Sequence, residues 1–198
     1  SGMRIYELEG KTVGLLGLGY IGAELAKKLH HGFNCRVLAY DPYVDPRLAY
    51  AVGAEIFGDL HAMLSECCLL CLAAELTDET RMIIGADELA ALPKGAVVIN
   101  AARGALLDLD ALADALDSGH VAAAGLDVVS PEPLPGGHRL LVHPNTVMTP
   151  HTAGVTTEAT NRLAHSACDQ ITAALAGRLP QFPVNREVWD AANSRRPD

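Results

Sequence analysis

Short, almost unbroken apolar runs alternate with stretches of helical period along the first 150 residues or so. The runs are "TVGLLG" (12–17), "CRVLAY" (35–40), "AEIF" (54–57), "CCLLCLA" (67–73), "AVVIN" (96–100), "VAAAGLDV" (121–128) and "TVMT" (146–149). Their continuity predicts strands covered on both faces, because a half-exposed strand would alternate with polar residues. Between them "YIGAELAKKLHH" ends at Gly32, "DLHAMLSE" opens with Asp59, and "LDALADALDSG" ends at the capping Gly119. Each reads as a helix. A longer helical pattern covers roughly Thr156 to Leu175, with Gly177 just past it. Repeated strand–helix alternation predicts an α/β chain with a doubly wound parallel sheet, its crossovers right-handed. From Leu179 the period is lost in "LPQFPVNREVWDAANSRRPD". The expected organisation is therefore one domain over residues 3–178 and a tail over 179–198. Ser1-Gly2 ahead of Met3 reads as an added remnant and is set aside.

Composition narrows the field. At 198 residues the chain is long enough to bury roughly 70% of its unfolded surface. Aromatics make up only 5%, so Ala, Leu, Val and Gly must fill the core, which suits closely packed helix-on-sheet layers. The formal net charge is −9, and the only basic pairs are Lys27-Lys28 and Arg195-Arg196, which argues against nucleic acid as a partner. No apolar run reaches the ~18 residues of a membrane span, and no signal-peptide pattern opens the chain. Cys68 and Cys71 form a C-x-x-C, but no second pair completes a zinc site. A strand would also turn those two positions to opposite faces. Buried, reduced thiols and a cytoplasmic setting are the expectation, with no metal. His30-His31, His61, His120, His138, His143 and His165 show no ligand spacing and read as structural or exposed.

The first run carries chemistry. Gly17, Gly19 and Gly22 make a G-x-G-x-x-G between a strand and a helix, the context of a Rossmann dinucleotide site. Gly17 permits the tight turn, Gly19 lets backbone approach a pyrophosphate, and Gly22 lets the helix pack close. The free N–H groups of the helix N-terminus attract the phosphates. Asp41 closes the second run, where a carboxylate would hold both ribose hydroxyls and repel a 2′-phosphate, so NAD is the expected cofactor. The competing reading, glycines used for packing alone, leaves Asp41 unaccounted for.

Three more polar residues follow strands. Arg103 comes just after "AVVIN"; Asp127 ends "VAAAGLD", with Glu132 a few residues on; His151 comes directly after "TVMTP". Open parallel sheets bind ligands outside the carboxyl ends of their strands. The set is chemically complete for hydride transfer at a carbinol carbon. His151 can take the hydroxyl proton, Glu132 can hold its tautomer and stabilise the imidazolium, and Arg103 can grip a carboxylate bidentately. Alone, such an Arg is more often a surface ion pair and such a His structural. Their common location favours a joint role.

The stretches "GKTVGLLGLGYIG", "YDPYV", "LTDETRMIIG", "LPKGAVVINAARGALLDLDALADAL", "AAAGLDVVSPEPLP" and "HPNTVMTPHTAG" cover most of residues 10–185 in order. Together they resemble the cofactor-binding domain of the D-isomer-specific 2-hydroxyacid dehydrogenases, a group that includes phosphoglycerate dehydrogenase. The resemblance implies a dehydrogenase acting on a small 2-hydroxy or 2-oxo acid, and a homodimer. It implies that Arg103 binds substrate carboxylate and carbonyl, Glu132 partners the histidine, and His151 is the acid/base. It adds Tyr20, Ile21, Ala101 and Gly154 to Gly17, Gly19, Gly22 and Asp41 as cofactor-lining residues. Asp127 is placed at the nicotinamide amide, with Arg103 and His151 bordering the same site.

Two departures stand out. The family usually has His and Pro where this chain reads Ala73-Ala74-Glu75, which puts a carboxylate beside the cofactor. The first segment of the family's substrate lobe, roughly a hundred residues, has no counterpart ahead of the glycine loop. Two other functions compete: a dinucleotide-sensing corepressor resembling these enzymes, and formate dehydrogenase. The latter lacks a carboxylate at the position of Glu132.

Overall fold

A computed structural model describes residues 6–193; Ser1-Gly2 and the basic pair Arg195-Arg196 lie outside the described residues. Seven strands form one parallel sheet: β1 (Thr12–Leu16), β2 (Arg36–Tyr40), β3 (Ala54–Ile56), β4 (Leu69–Leu72), β5 (Ala96–Asn100), β6 (Val121–Leu126) and β7 (Thr146–Met148). Their order is β3-β2-β1-β4-β5-β6-β7, so the winding reverses on either side of β1. This is the expected doubly wound sheet, with every run realised as a strand one to three residues shorter than read, "AVVIN" excepted.

The helices are α1 (Tyr20–Lys27), α2 (Pro46–Ala51), α3 (Leu60–Glu66), α4 (Ala86–Ala91), α5 (Leu109–Asp117), α6 (Thr157–Leu175) and α7 (Arg186–Asn193). Asp59, Asp108 and Thr156 cap α3, α5 and α6, each accepting a hydrogen bond from a first-turn backbone N–H. α1 widens into a π turn over Lys28–Gly32 before the chain enters β2. The sequence pattern missed α2 and α4, six residues each and too short to show a period. Local signals for both exist: Asp45 caps α2 with Pro46 behind it, and the Glu88 carboxylate reaches back to the Gly85 N–H in α4. The tail is likewise not devoid of periodic structure, since it contains α7.

Two apolar clusters flank the sheet. Val13, Leu15, Val37, Ala39 and Cys71 face one side with Ala23 and Ala26 of α1, Leu29 of the π turn and Ala49 of α2. Leu16, Leu38, Leu70 and Leu72 face the other with Met63 and Leu64 of α3, Leu89 of α4 and Leu112 of α5. β1, β2 and β4 are thus covered on both faces, as their continuous runs require. β5 and β6 are not: their burial alternates. The reason is connectivity. α5 packs in the second cluster, and the β6–β7 connection contributes Leu134 and Leu140 to that same cluster. The opposite face is only partly buried, at Val97, Ile99, Ala123 and Gly125.

The chain divides into compact units of residues 1–153 and 154–198, the first holding the sheet and the second holding α6 and α7. The division falls ahead of α6 rather than at the expected 178/179. Among the described residues no helix is long and apolar enough to cross a membrane. Cys35, Cys67 and Cys71 are buried, and burial pushes the Cys67 and Cys71 thiols up to about 12, so they pack as apolar groups. Among the described residues no group of three or more His, Cys, Asp or Glu could hold a metal ion.

The three glycines of the first turn differ in what holds them. Gly17 has φ +92°, and a Cβ there would lie 2.7 Å from the Ala74 backbone; a Cβ on Gly22 would overlap the Gly17 carbonyl oxygen. A Cβ on Gly19 would meet nothing within 4 Å. Gly22→Ala is therefore expected to destabilise the chain by about 1–3 kcal/mol through overpacking. Gly19→Ala should leave the thermal midpoint within about 1 °C, under the roughly 2–4 °C that 1 kcal/mol produces in a domain this size. Parallel melts of the two variants check both halves.

Candidate active site

The parallel register sets the carboxyl ends of the strands in one line. Tyr40 pairs with Leu16, Leu16 with Leu72, Leu72 with Asn100, Asn100 with Leu126, and Leu126 with Met148. Gly17, Asp41, Ala73, Ala101 and Asp127 each lie one residue past that line, Gly19, Arg103 and His151 three, and Glu132 six. All are thereby delivered to one edge of the sheet.

At the centre of that edge, the glycine loop is tied to its neighbours. The Leu18 N–H donates to Asp41 Oδ2 at 2.8 Å, and the Tyr43 N–H donates to Asp41 Oδ1 at 3.0 Å. α1 starts at Tyr20 with no side-chain cap. Its first-turn N–H groups are the donors a phosphate would use. Tyr20 and Ile21 are 98% and 74% exposed, although the fold gains nothing from apolar side chains there. Open space at Gly19, an uncapped helix and exposed apolar neighbours together fit a dinucleotide. The departure at Ala73-Ala74 backs this loop directly, since it is Ala74 that a Cβ on Gly17 would strike. Glu75 itself is exposed.

The turn after β5 is built on Asn100, the one fully buried polar residue among those described. Its Oδ1 accepts from the Ala102 N–H at 3.1 Å, and its Nδ2 donates to the Arg103 carbonyl at 2.9 Å. Both ends of the amide thus shape the turn that presents Arg103. Gly104 completes it, for a Cβ there would overlap the Val129 backbone. Arg103 is exposed and directs one N–H to the Ala102 carbonyl at 2.6 Å, using one of its five donors. Ala101 is exposed beside it. The sequence reading passed over Asn100; a polar residue closing an otherwise apolar buried run was the available signal.

His151 has φ +57°, an unusual conformation for a residue with a Cβ. Asp127 holds it there. Its carboxylate accepts from the Thr149 hydroxyl, from the Thr152 N–H at 2.8 Å and from the Ala153 N–H at 3.0 Å, while its carbonyl accepts from the His151 N–H at 2.9 Å. Burial opposes the Asp127 charge, but the bonds from Thr149, Ala153 and Thr152 and the nearby His151 outweigh it and keep its carboxyl below the usual range. Asp127, expected from the resemblance at the nicotinamide amide, also anchors the histidine loop. His151 Nδ1 lies 3.0 Å from Glu132 Oε1, and both side chains are about half exposed. The structure thus brings Glu132, Asp127 and His151 together, and sets Arg103 on the neighbouring strand end without a direct contact to them. Gly154 belongs to the second unit, where a Cβ on it would meet nothing within 4 Å.

Residues 1–153 match the family described as D-isomer specific 2-hydroxyacid dehydrogenase, NAD binding domain. The chain is 40% identical to a glyoxylate reductase of Aeropyrum pernix, aligning over 92% of itself and 54% of that protein. It is 39% identical to a mitochondrial formate dehydrogenase of Hordeum vulgare, over 93% of itself and 48% of the relative. Among solved structures, a D-lactate dehydrogenase with NAD⁺ from Lactobacillus jensenii superposes with a TM-score of 0.82 at 29% identity, over 91% of this chain and 57% of that one. The chain spans about half the length of the curated relatives it matches. It belongs to the D-isomer specific 2-hydroxyacid dehydrogenases and is built as their NAD-binding domain.

Proposed function

We propose that the chain serves an enzyme that moves hydride between NAD(H) and a D-2-hydroxy acid/2-oxo acid pair. The observation that carries this reading is the 3.0 Å His151–Glu132 pair at the sheet edge that also bears the glycine loop. When bound, NAD accepts or donates the hydride. Gly19, the first turn of α1 and Asp41 hold it. With Nδ1 turned to Glu132, His151 presents Nε2 to the substrate hydroxyl and takes or returns its proton. Glu132 fixes the tautomer and stabilises the imidazolium. Arg103 binds the substrate carboxylate, for which its planar fork is suited. Glu132 favours a hydroxy acid over formate as substrate, despite the likeness to formate dehydrogenase. The relatives named above are enzymes, which favours catalysis over corepression. Free thiols remain the support for a cytoplasmic setting. A two-fold homodimer is part of the reading, supported by Leu163, Ile171 and Leu175 of α6, exposed within a single broad stripe of that helix. Light scattering is expected to exceed the 20.9 kDa of one chain; a single such species at every concentration would remove the dimer from the reading.

NAD(H) should bind in preference to NADP(H). The Asp41 carboxylate is fixed by two backbone donors, and the nearest basic side chain beyond it, Arg47, is bonded to Asp45 at 2.6 Å. Titration of both reduced cofactors by fluorescence checks this, and Asp41→Ala should narrow the gap. Equal or tighter NADPH binding by the unaltered chain contradicts it.

Turnover is a different matter. Positioning a substrate in a closed cleft lowers a barrier by roughly 7–11 kcal/mol, whereas exposed ion pairs supply only about 0–1 kcal/mol. The 198-residue chain should therefore bind NADH yet oxidise it with glyoxylate, pyruvate, hydroxypyruvate or phosphohydroxypyruvate far below rates on the order of 1–10³ s⁻¹. A longer chain that adds the family's substrate lobe should reach those rates, and His151→Asn within it should cost at least about 10²-fold in kcat. Ordinary rates from the short chain would overturn the need for a second lobe. An active His151→Asn enzyme would overturn the acid/base role.

A further inference from the structure

We propose that Tyr43 and Glu79 form a latch across the adenosine end of the NAD crevice and slow release of the cofactor. This rests on the reading of Asp41 as the carboxylate that takes the ribose hydroxyls.

β2 and β4 are the two neighbours of β1 in the sheet. Tyr43 lies three residues past the end of β2, and Glu79 lies in the turn that follows β4. The Tyr43 hydroxyl donates to Glu79 Oε2 at 2.6 Å. A contact between the two loops that flank β1 must span the end of β1, where the glycine loop begins. Neither residue serves the core: both are exposed, Tyr43 by 79%.

The two halves of the contact are mounted differently. Glu79 sits on a braced turn, in which the Thr80 hydroxyl donates to the Glu75 carbonyl at 2.6 Å and the Thr77 N–H donates to Thr80 Oγ1 at 2.8 Å. Tyr43 is held only through its backbone, whose N–H bonds Asp41 Oδ1. Its side chain is the movable arm, and Glu79 is the catch. The carboxylate that would take the ribose therefore also sets the root of the arm. On either side of the span, Tyr40, Ala74 and Leu76 are partly buried apolar residues packed against the core. They offer an apolar floor for an adenine, with the Tyr43 ring as its cover. Glu79 holds the Tyr43 hydroxyl above the usual tyrosine range, so it remains a protonated donor at neutral pH.

The test is stopped-flow release of NADH and of reduced nicotinamide mononucleotide, which lacks the adenosine half, from the 198-residue chain and from Tyr43→Phe and Glu79→Ala. Both variants should release NADH about two- to five-fold faster, the range of an exposed pair. Their thermal midpoints and their release of the mononucleotide should match the unaltered chain. Unchanged NADH release in both variants overturns the latch alone. Equal acceleration for NADH and the mononucleotide also overturns it, because it marks a general loosening of the loops. Failure of the unaltered chain to bind NADH overturns the NAD reading of this chain and the latch with it.

Discussion

Parallel register is the constraint on which the rest depends. Because Tyr40, Leu16, Leu72, Asn100, Leu126 and Met148 are mutually paired at the strand ends, residues scattered from Gly17 to His151 emerge at one edge. A one-residue slip of a strand would turn its apolar side chains to the wrong face, so the core and the site stand on the same pairing. The site is then shaped by groups bonded within the chain. Asn100 bends the chain toward Arg103, and Asp127 holds His151 at positive φ. Buried or well-bonded groups do the positioning, while Arg103, Glu132 and His151 stay exposed.

Much of this was legible in the residues. The seven apolar runs became seven strands, and the glycine spacing marked the first turn because three separate physical demands fall on three fixed positions. Gly17 and Gly22 are dictated by packing within the protein, while Gly19 is not. That difference separates a nucleotide cradle from a merely tight turn, and only coordinates display it. Arg103, Glu132 and His151 stood out because each is a charged or titratable group just past an apolar run, and the structure sets all three at the same sheet edge.

What escaped the reading has equally physical causes. α2 and α4 are stabilised by caps and packing rather than by a repeating stripe. The partial burial of one face of β5 and β6 goes with where the crossovers run, which composition does not encode, since Ala and Gly in "VAAAGL" suit either setting. The hold of Asp127 on the histidine loop also escaped, because three of its acceptor positions are engaged by groups twenty-two or more residues away, Thr149, Thr152 and Ala153. Tyr43 and Glu79 lie thirty-six positions apart on exposed turns, and no period or spacing could have joined them.

The place of β1 inside the sheet, between β2 and β4, also bears on how the chain comes to be folded. β1 is made before the other strands of this sheet, and β2 can cover one of its edges early. Its other edge must wait for Leu69–Leu72, and the edge of β4 in turn waits for β5. During synthesis the nascent chain therefore carries an open strand edge lined by Val13, Leu15 and Leu16 for as long as it takes to reach the fourth strand. Such non-local parallel pairing is slow and leaves the chain open to association with others. The topology that gathers one ligand site from distant segments thus leaves that edge unpaired until the fourth strand has been made.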